Sequence, residues 1–200
     1  AELHSQMIAS LQQSGAGNSC TPEEERIIWD FLLEKIGNPY GVAGLMGNLY
    51  SESALRSINL QQRYERLLDH SDESYTLAVD LGIYPPEKFI NDRAGYGLAQ
   101  WTHPSRKQRL MDYAKKIGAE SISDLQMQLE FLWIELQLRF PHVLRVLRKA
   151  TSVKEASDCV LTQCEQPGDQ GPDVQRERAR YGLRYYNRYA LADGETEDAE

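Results

Sequence analysis

The chain has 200 residues, of which 41% are hydrophobic and 26% are charged, a composition typical of one soluble globular domain. Its net charge of −8 is uneven: residues 191–200 hold five acidic residues, residues 1–20 hold one, and residues 21–190 carry a net charge of −2. No basic stripe is present, which argues against a nucleic-acid partner. No apolar run approaches the roughly 18 residues of a membrane span, so we expect none.

The two ends of the chain differ in composition from its centre. Residues 1–20 close with a run of small residues and predict a flexible lead-in. Residues 191–200 predict an acidic tail or linker. The chain begins with Ala and shows no signal-peptide pattern, so we expect a segment of a longer protein with further modules. The domain itself is expected over residues 21–190.

Helical periodicity begins at residue 21. Thr21, Pro22 and Glu24 have the spacing of a capped helix start, and Gly37 ends that helix. The further helices that the periodicity predicts span residues 41–50, 61–68, 72–81, 105–117, 123–140, 141–150, 152–164 and 173–190.

Between the helices at 72–81 and 105–117, turn residues interrupt the pattern. Pro85 and Pro86 break it, and a glycine-containing turn follows at residues 95–97. One small β-hairpin is expected near residues 93–101. The fold class predicted for the whole chain is all-α.

The segment after Gly37 has an unusual pattern of glycines. Gly41, Gly44 and Gly47 recur at every third position, where each costs a helix about 1 kcal/mol relative to Ala. Such a cost indicates close approach by another backbone or by a ligand. Glu52 continues the apolar face of this helix, and partial burial and the negative helix end both favour its protonated form. A protonated carboxyl suits a general acid, although an ordinary solvated Glu at a helix end is the alternative.

The turn at residues 95–102 combines glycines with polar and flat side chains. Gly95 and Gly97 permit a tight turn, and Gln100 and Trp101 offer an amide beside an apolar surface. Sugars have polar edges and apolar faces, which this pair fits. A structural Trp in the core is the alternative.

Two segments together, GLMGNLYSESAL and AGYGLAQWTHPSRKQRL, resemble the phage tail-tip lysozyme family, a branch of the lysozyme-like superfamily. The similarity extends through SDLQMQLEFLWIEL and CEQPGDQGPDVQRERARYGLRYYNRY, so that it covers roughly residues 23–190. The resemblance implies a lysozyme-like helical domain with a substrate groove, acting on peptidoglycan glycan strands in a virion tail or outside the cell. One departure is Cys164, where the family commonly has an aromatic residue.

The resemblance also implies roles for particular residues. The catalytic Glu of the family's Gly-Asn-x-x-x-Glu-Ser segment corresponds to Glu52, and the family's Gly-Leu-x-Gln segment lines the sugar groove. The residues expected to bind substrate are Asn48, Ser53, Tyr96, Gly97, Gln100 and Trp101.

An inverting hydrolase needs a second carboxylate about 6.5–9.5 Å from the acid, with water between them. Asp92 shortly precedes the Gln100 turn and is our candidate for this base. Glu65, Asp69 and Glu73 are the alternatives. No metal-ligand spacing and no cofactor motif is present, so we expect neither a metal nor an organic cofactor.

Three functions remain open at this point. The favoured one is hydrolysis of the β-1,4 bond between N-acetylmuramic acid and N-acetylglucosamine, with Glu52 as general acid. The second is a lytic transglycosylase, in which one Glu serves as acid and base. The third is a non-catalytic glycan-binding or structural phage-tail module, which would have no need for an acid on an apolar face.

Overall fold

The computed structural model describes residue 6 and residues 20–192, and within these it is mainly helical. Ten α-helices and two isolated β-bridges lie in the described part of the chain, which confirms the all-α fold class. None of those helices has the length and apolar character that crossing a membrane requires. Apart from residues 6, 20, 191 and 192, the expected lead-in and acidic tail lie outside the described residues.

The chain divides into two compact units. Arg56–Phe131 form one, called here the middle unit. Cys20–Leu55 and the chain from Leu132 onward form the other, called here the split unit.

The split unit is built around two helices joined by a short turn. They are α1 (Pro22–Ile36) and α2 (Pro39–Ser53). Helix α7 (Leu125–Leu138) contributes its second part, from Leu132 onward, to this unit. The remaining helices are α8 (Pro141–Lys149), α9 (Val153–Val160) and α10 (Pro172–Tyr185). Turns of π-helix extend α9 over Leu161–Glu165 and α10 over Tyr186–Leu191.

Local chemistry explains both ends of α1. The Thr21 side chain accepts a hydrogen bond from the Glu24 backbone N–H at 3.1 Å, and Pro22 occupies the first turn. Gly37 closes the helix in the left-handed region, with φ of 75°. The predicted start and end of this helix are therefore confirmed.

Helix α2 is longer than the sequence indicated. It begins at Pro39 rather than residue 41 and ends at Ser53 rather than residue 50. The Asn38 side chain caps it, accepting from the Tyr40 N–H and donating to the carbonyls of Leu147 and Ala150. Those two carbonyls come from over a hundred residues away, so local sequence could not reveal the cap. Because the helix continues to Ser53, Glu52 lies inside its last turn.

The glycines of α2 mark the backbone contacts that the spacing predicted. A Cβ on Gly41 would lie 2.1 Å from the Leu147 carbonyl oxygen, and one on Gly47 would lie 2.4 Å from the Arg178 carbonyl oxygen. At Gly44 the added atom would meet Ala156 at 2.5 Å. Since no real Cβ tolerates such distances, only glycine lets α8, α9 and α10 pack this closely on α2.

The middle unit consists of short helices. They are α3 (Gln62–Leu68), α4 (Asp72–Asp80), α5 (Pro86–Asn91), α6 (Pro104–Ile117) and the first part of α7. Helix α5 was missed because two prolines were interpreted as a break, whereas Pro86 at a first helical position is favourable. The expected hairpin is reduced to one bridge between Tyr96 and Trp101.

Helix α7 begins at Leu125, two residues later than the start predicted at residue 123. The Asp124 side chain accepts from the Met127 N–H at 2.7 Å, so Asp124 and not Ser123 satisfies the first turn. Ser123 instead takes part in hydrogen bonds with Ser121.

Candidate active site

Glu52 lies in the last turn of α2 and faces α10 within the split unit. The Arg178 guanidinium donates from Nη2 to Glu52 Oε1 at 2.8 Å. The Glu52 side chain is 21% exposed, whereas that of Arg178 is 8% exposed. No described residue donates to the second carboxyl oxygen, Oε2. The carboxyl is thus held at one oxygen and reaches solvent.

Asn48 lies one turn before Glu52 and is completely buried. Its Nδ2 donates to the carbonyls of Gly44 and Ser157 at 2.9 and 3.1 Å, and also to Ser157 Oγ. Its Oδ1 accepts from Arg178 Nη1 at 3.1 Å. Every polar atom of the amide therefore bonds to protein, and Asn48 meets Glu52 through Arg178.

Two further polar groups lie near this cluster. Arg178 Nε is buried and has no hydrogen-bond partner in the described structure, a condition that costs about 1–3 kcal/mol and that folded proteins keep rare. Ser53 is 1% exposed and its hydroxyl donates to the Leu49 carbonyl within α2. Its predicted contact with substrate stays a prediction.

In the middle unit, the turn containing Gly97 and Gln100 is braced by Asn59. Gly97 has φ of 81° and donates its N–H to the Asn59 carbonyl at 2.9 Å. Gln100 Nε2 donates to the Asn59 carbonyl and Oδ1 and to the Gly97 carbonyl, at 3.1–3.2 Å. Because three acceptors surround the amide nitrogen, the amide oxygen of Gln100 is the atom left to accept from a sugar N–H or hydroxyl.

Gln128 supports the same turn from beneath and was not singled out from the sequence. It is completely buried, accepts from the Leu98 N–H, and donates to the carbonyls of Ser57 and Ile122 at 2.8 Å. A Cβ on Gly97 would lie 2.7 Å from its Oε1. Gly97 is thus required both for its backbone angle and for room.

Tyr96 and Trp101, both predicted to bind sugar, are 0% exposed. The Tyr96 hydroxyl shares a hydrogen bond of 2.5 Å with Thr76, and the Trp101 ring packs on Phe131 with centroids 5.5 Å apart. In this conformation the two rings underlie the turn, and a direct contact with a sugar would require the turn to open. Their role in binding stays a prediction.

Asp92, the candidate for the base, is 4% exposed and has partners on both carboxylate oxygens. Oδ1 accepts from Lys107 Nζ at 2.6 Å and from the Ala94 N–H at 2.9 Å. Oδ2 accepts from the Tyr75 and Tyr84 hydroxyls at 2.5 and 3.0 Å. Asp92 therefore lies at the centre of a buried polar cluster, and its role as a base stays a prediction.

Lys107 is the cation of that cluster. Its side chain is 0% exposed, and Nζ also donates to the Ala94 carbonyl at 2.9 Å and lies 4.2 Å from the Phe89 ring centroid. Burial lowers the pKa of the Lys107 ammonium, and the Asp92 carboxylate opposes that shift.

The alternative carboxylates lie on and between α3 and α4. Burial, helped by the charges of Asp72 and Glu73, raises the pKa of Glu65. Glu73 Oε2 is buried without a hydrogen-bond partner among the described residues. Asp69 is exposed and ends α3 in the left-handed region. None of these observations assigns a base.

Little in the amino-acid sequence pointed to the residues that support the site. Arg178 is one of three arginines in QRERAR, and only the packing of α10 on α2 selects it over Arg176 and Arg180. Lys107 lies in α6 among other charged residues, a pattern typical of an exposed helix face, and Gln128 lies among the apolar residues of α7. A completely buried Lys or Gln is uncommon, so neither was expected in the interior.

In the part of the chain that the structure describes, no group of three or more His, Cys, Asp or Glu could hold a metal ion. A sequence profile for a family described as phage tail lysozyme matches residues 23–189. No curated protein and no solved structure gives a significant match to the chain.

Proposed function

The chain belongs to the phage tail lysozyme family, and on this premise we propose that it hydrolyses the β-1,4 bond between N-acetylmuramic acid and N-acetylglucosamine, with Glu52 as general acid. The family as such supports a lysozyme-like, peptidoglycan-degrading enzyme of a virion tail or of the extracellular space. The bond and the acid are our own proposal.

One observation carries the assignment of the acid. Glu52 is held by Arg178 at Oε1 alone, while Oε2 has no donor among the described residues and the side chain is 21% exposed. A general acid must be fixed in direction yet present one oxygen to the leaving group. Glu52 meets both requirements.

In the proposed reaction, Oε2 of protonated Glu52 gives its proton to the glycosidic oxygen as the bond to the anomeric carbon breaks. The sugar develops oxocarbenium character, and a second carboxylate takes a proton from the attacking water. Asp92 remains the candidate for that base. The amide oxygen of Gln100 would accept a hydrogen bond from the glycan.

The crowding around Asp92 favours a second candidate function. Both of its oxygens are already occupied by Lys107, Ala94 and two tyrosines, so activating water would require it to give up a partner. A lytic transglycosylase has no need for a second carboxylate, because Glu52 would act as acid and then as base while the sugar's own hydroxyl attacks.

The test is digestion of purified peptidoglycan, followed by turbidity and by mass spectrometry of the products. We expect turbidity to fall with the parent protein and Glu52→Gln to lose about 10²–10⁴-fold in rate. Glu34→Gln is the matched control, because it makes the same chemical change at an exposed carboxyl of the split unit.

Each outcome decides one question. Reducing ends support the hydrolase, and anhydro-muramyl ends support the transglycosylase. Full activity of Glu52→Gln removes Glu52 as the acid. A parent protein that binds the wall without clearing it supports the non-catalytic tail module.

A further inference from the structure

We infer that Arg178, clamped by Asn48, is a positioning residue that holds Glu52 by one oxygen and thereby reserves the other oxygen for the substrate. The inference rests on the proposed role of Glu52. It assigns Arg178 a function and moves Asn48 from direct sugar contact to support.

The guanidinium divides its two terminal nitrogens between Glu52 and Asn48. Nη2 lies 2.8 Å from Glu52 Oε1, and Nη1 lies 3.1 Å from Asn48 Oδ1. A structural Arg–carboxylate pair commonly uses both nitrogens on both oxygens of one carboxylate. Here one nitrogen, Nη2, donates to one oxygen, Oε1, so the carboxyl is oriented while Oε2 keeps its capacity to form hydrogen bonds.

Asn48 fixes the direction of the guanidinium. Its Nδ2 faces the carbonyl oxygens of Gly44 and Ser157, which accept and cannot donate. The amide oxygen must therefore point toward Arg178. Because Asn48 is 0% exposed, it acts on a bound glycan only through the guanidinium.

The glycines of α2 bring these groups within reach. Gly47 allows the backbone of α10 to approach at Arg178 and Gly182, where a Cβ would lie 2.4 and 2.5 Å from backbone atoms. Gly44 admits α9 at Ser157, where a Cβ would lie 2.6 Å from the backbone N. The spacing of the glycines thus sets how far from α2 the residues Arg178 and Ser157 lie.

The position of the proton follows from this arrangement. Oε1 faces an N–H donor of a permanent cation, so a proton on Glu52 is placed on Oε2, the oxygen without a donor among the described residues. After Oε2 has given its proton to the glycosidic oxygen, the cation stabilises the carboxylate that remains. Among the described residues, Arg178 is the charged group within ion-pair distance of Glu52.

The test measures kcat and KM of Arg178→Gln and Arg178→Lys on soluble glycan strands. We expect Arg178→Gln to lose about 10²-fold in kcat with little change in KM, since misplacing a reacting group affects the chemical step. Arg178→Lys, which keeps a donor and the charge at the end of a flexible chain, should recover part of kcat.

A double-mutant comparison separates positioning from general structure. If Arg178 acts through Glu52, adding Arg178→Gln to Glu52→Gln lowers the residual rate no further. Should Arg178→Gln not fold, Arg178→Lys carries the test: a kcat within twofold of the parent overturns the inference, and a clear loss at unchanged KM supports it.

Two failures can be told apart. If Glu52→Gln is fully active, the proposed function fails and the inference fails with it. If Glu52→Gln is inactive while Arg178→Gln keeps its kcat, the acid stands and only the inference is overturned.

Discussion

The middle and split units each bury an ion pair, and the two pairs are built differently. In the middle unit, Asp92 is 4% exposed and four groups donate to its two oxygens. In the split unit, Glu52 is 21% exposed and one group donates to it. Both carboxylates are paired with a buried cation, yet only Glu52 has an oxygen without a protein partner.

This difference separates a carboxylate whose two oxygens are both occupied by protein donors from one that has an oxygen left for a substrate. Each of the four donors stabilises the Asp92 carboxylate, and a water or substrate could bond to it only after one donor has left. The Glu52 carboxylate is oriented by one donor and keeps one oxygen without a protein partner. The following three experiments test the comparison, from the largest expected effect to the smallest.

Removal of the buried cation should be the most damaging change. We expect Lys107→Met to lower the free energy of unfolding by about 3–5 kcal/mol, because it leaves the Asp92 carboxylate buried without its cation. Urea unfolding measures this, with Lys88→Met, an exposed lysine of the same unit, as the control. Arg178→Met should cost less, since Glu52 reaches water. Equal losses at Lys107 and Arg178 would mean that the two carboxylates depend equally on their cations, which would contradict the comparison.

A methyl group on the central helix should disturb the split unit. In Gly47→Ala the new Cβ would stand 2.4 Å from the Arg178 carbonyl oxygen, so α10 must shift, at a cost of about 1–3 kcal/mol. The rate on peptidoglycan should fall as well, since Arg178 moves with its helix. Gly168→Ala, with no atom within 4 Å of its Cβ, is the control and should change neither stability nor rate. Unchanged stability of Gly47→Ala would contradict the close contact.

Tyrosines beside carboxylates make both units sensitive to alkali. Burial and the hydrogen bond to Glu25 raise the pKa of Tyr189 to about 12, and burial and the charge of Asp92 raise the pKa of Tyr84. An unfolded Tyr ionises near pH 10. The stability that these groups contribute is therefore complete below about pH 10 and is lost as pH rises through the folded value, near 12 for Tyr189.

We expect the thermal midpoint to fall steadily above about pH 10, as followed by circular dichroism. Tyr84→Phe in the middle unit and Tyr189→Phe in the split unit should each make that fall less steep. If neither substitution changes the slope, the buried hydroxyls are not the groups that respond. A change in one variant alone would show which unit is the more sensitive to alkali.

Much of the fold could be predicted because its signals are local. Thr21 and Gly37 bound α1 through hydrogen bonds and backbone angles within a few residues. The glycine spacing of α2 correctly indicated close backbone contacts, since glycine inside a helix is unfavourable without one. By contrast Asn38, which starts α2, is anchored by carbonyls more than a hundred residues away.

The candidate site divides in the same way. Glu52 could be selected because it continues an apolar helix face and because its segment resembles the Gly-Asn-x-x-x-Glu-Ser segment of the family, and both signals lie within a few residues. Its partner Arg178 could not be, because 126 residues separate the two and three arginines of one helix compete for the role. Lys107 and Gln128 were missed since a buried polar side chain looks, in sequence, like any exposed one.

The amino-acid sequence alone determined that the chain is helical, where most helices start, and which carboxyl to suspect, because periodicity, caps, glycines and the segment that resembles the family's all extend over only a few residues. Only the tertiary structure decided which cation holds that carboxyl, that Asp92 is saturated, and that Trp101 lies in the interior. Those outcomes depend on burial and on contacts between distant segments, and a linear pattern does not contain the distances that set them.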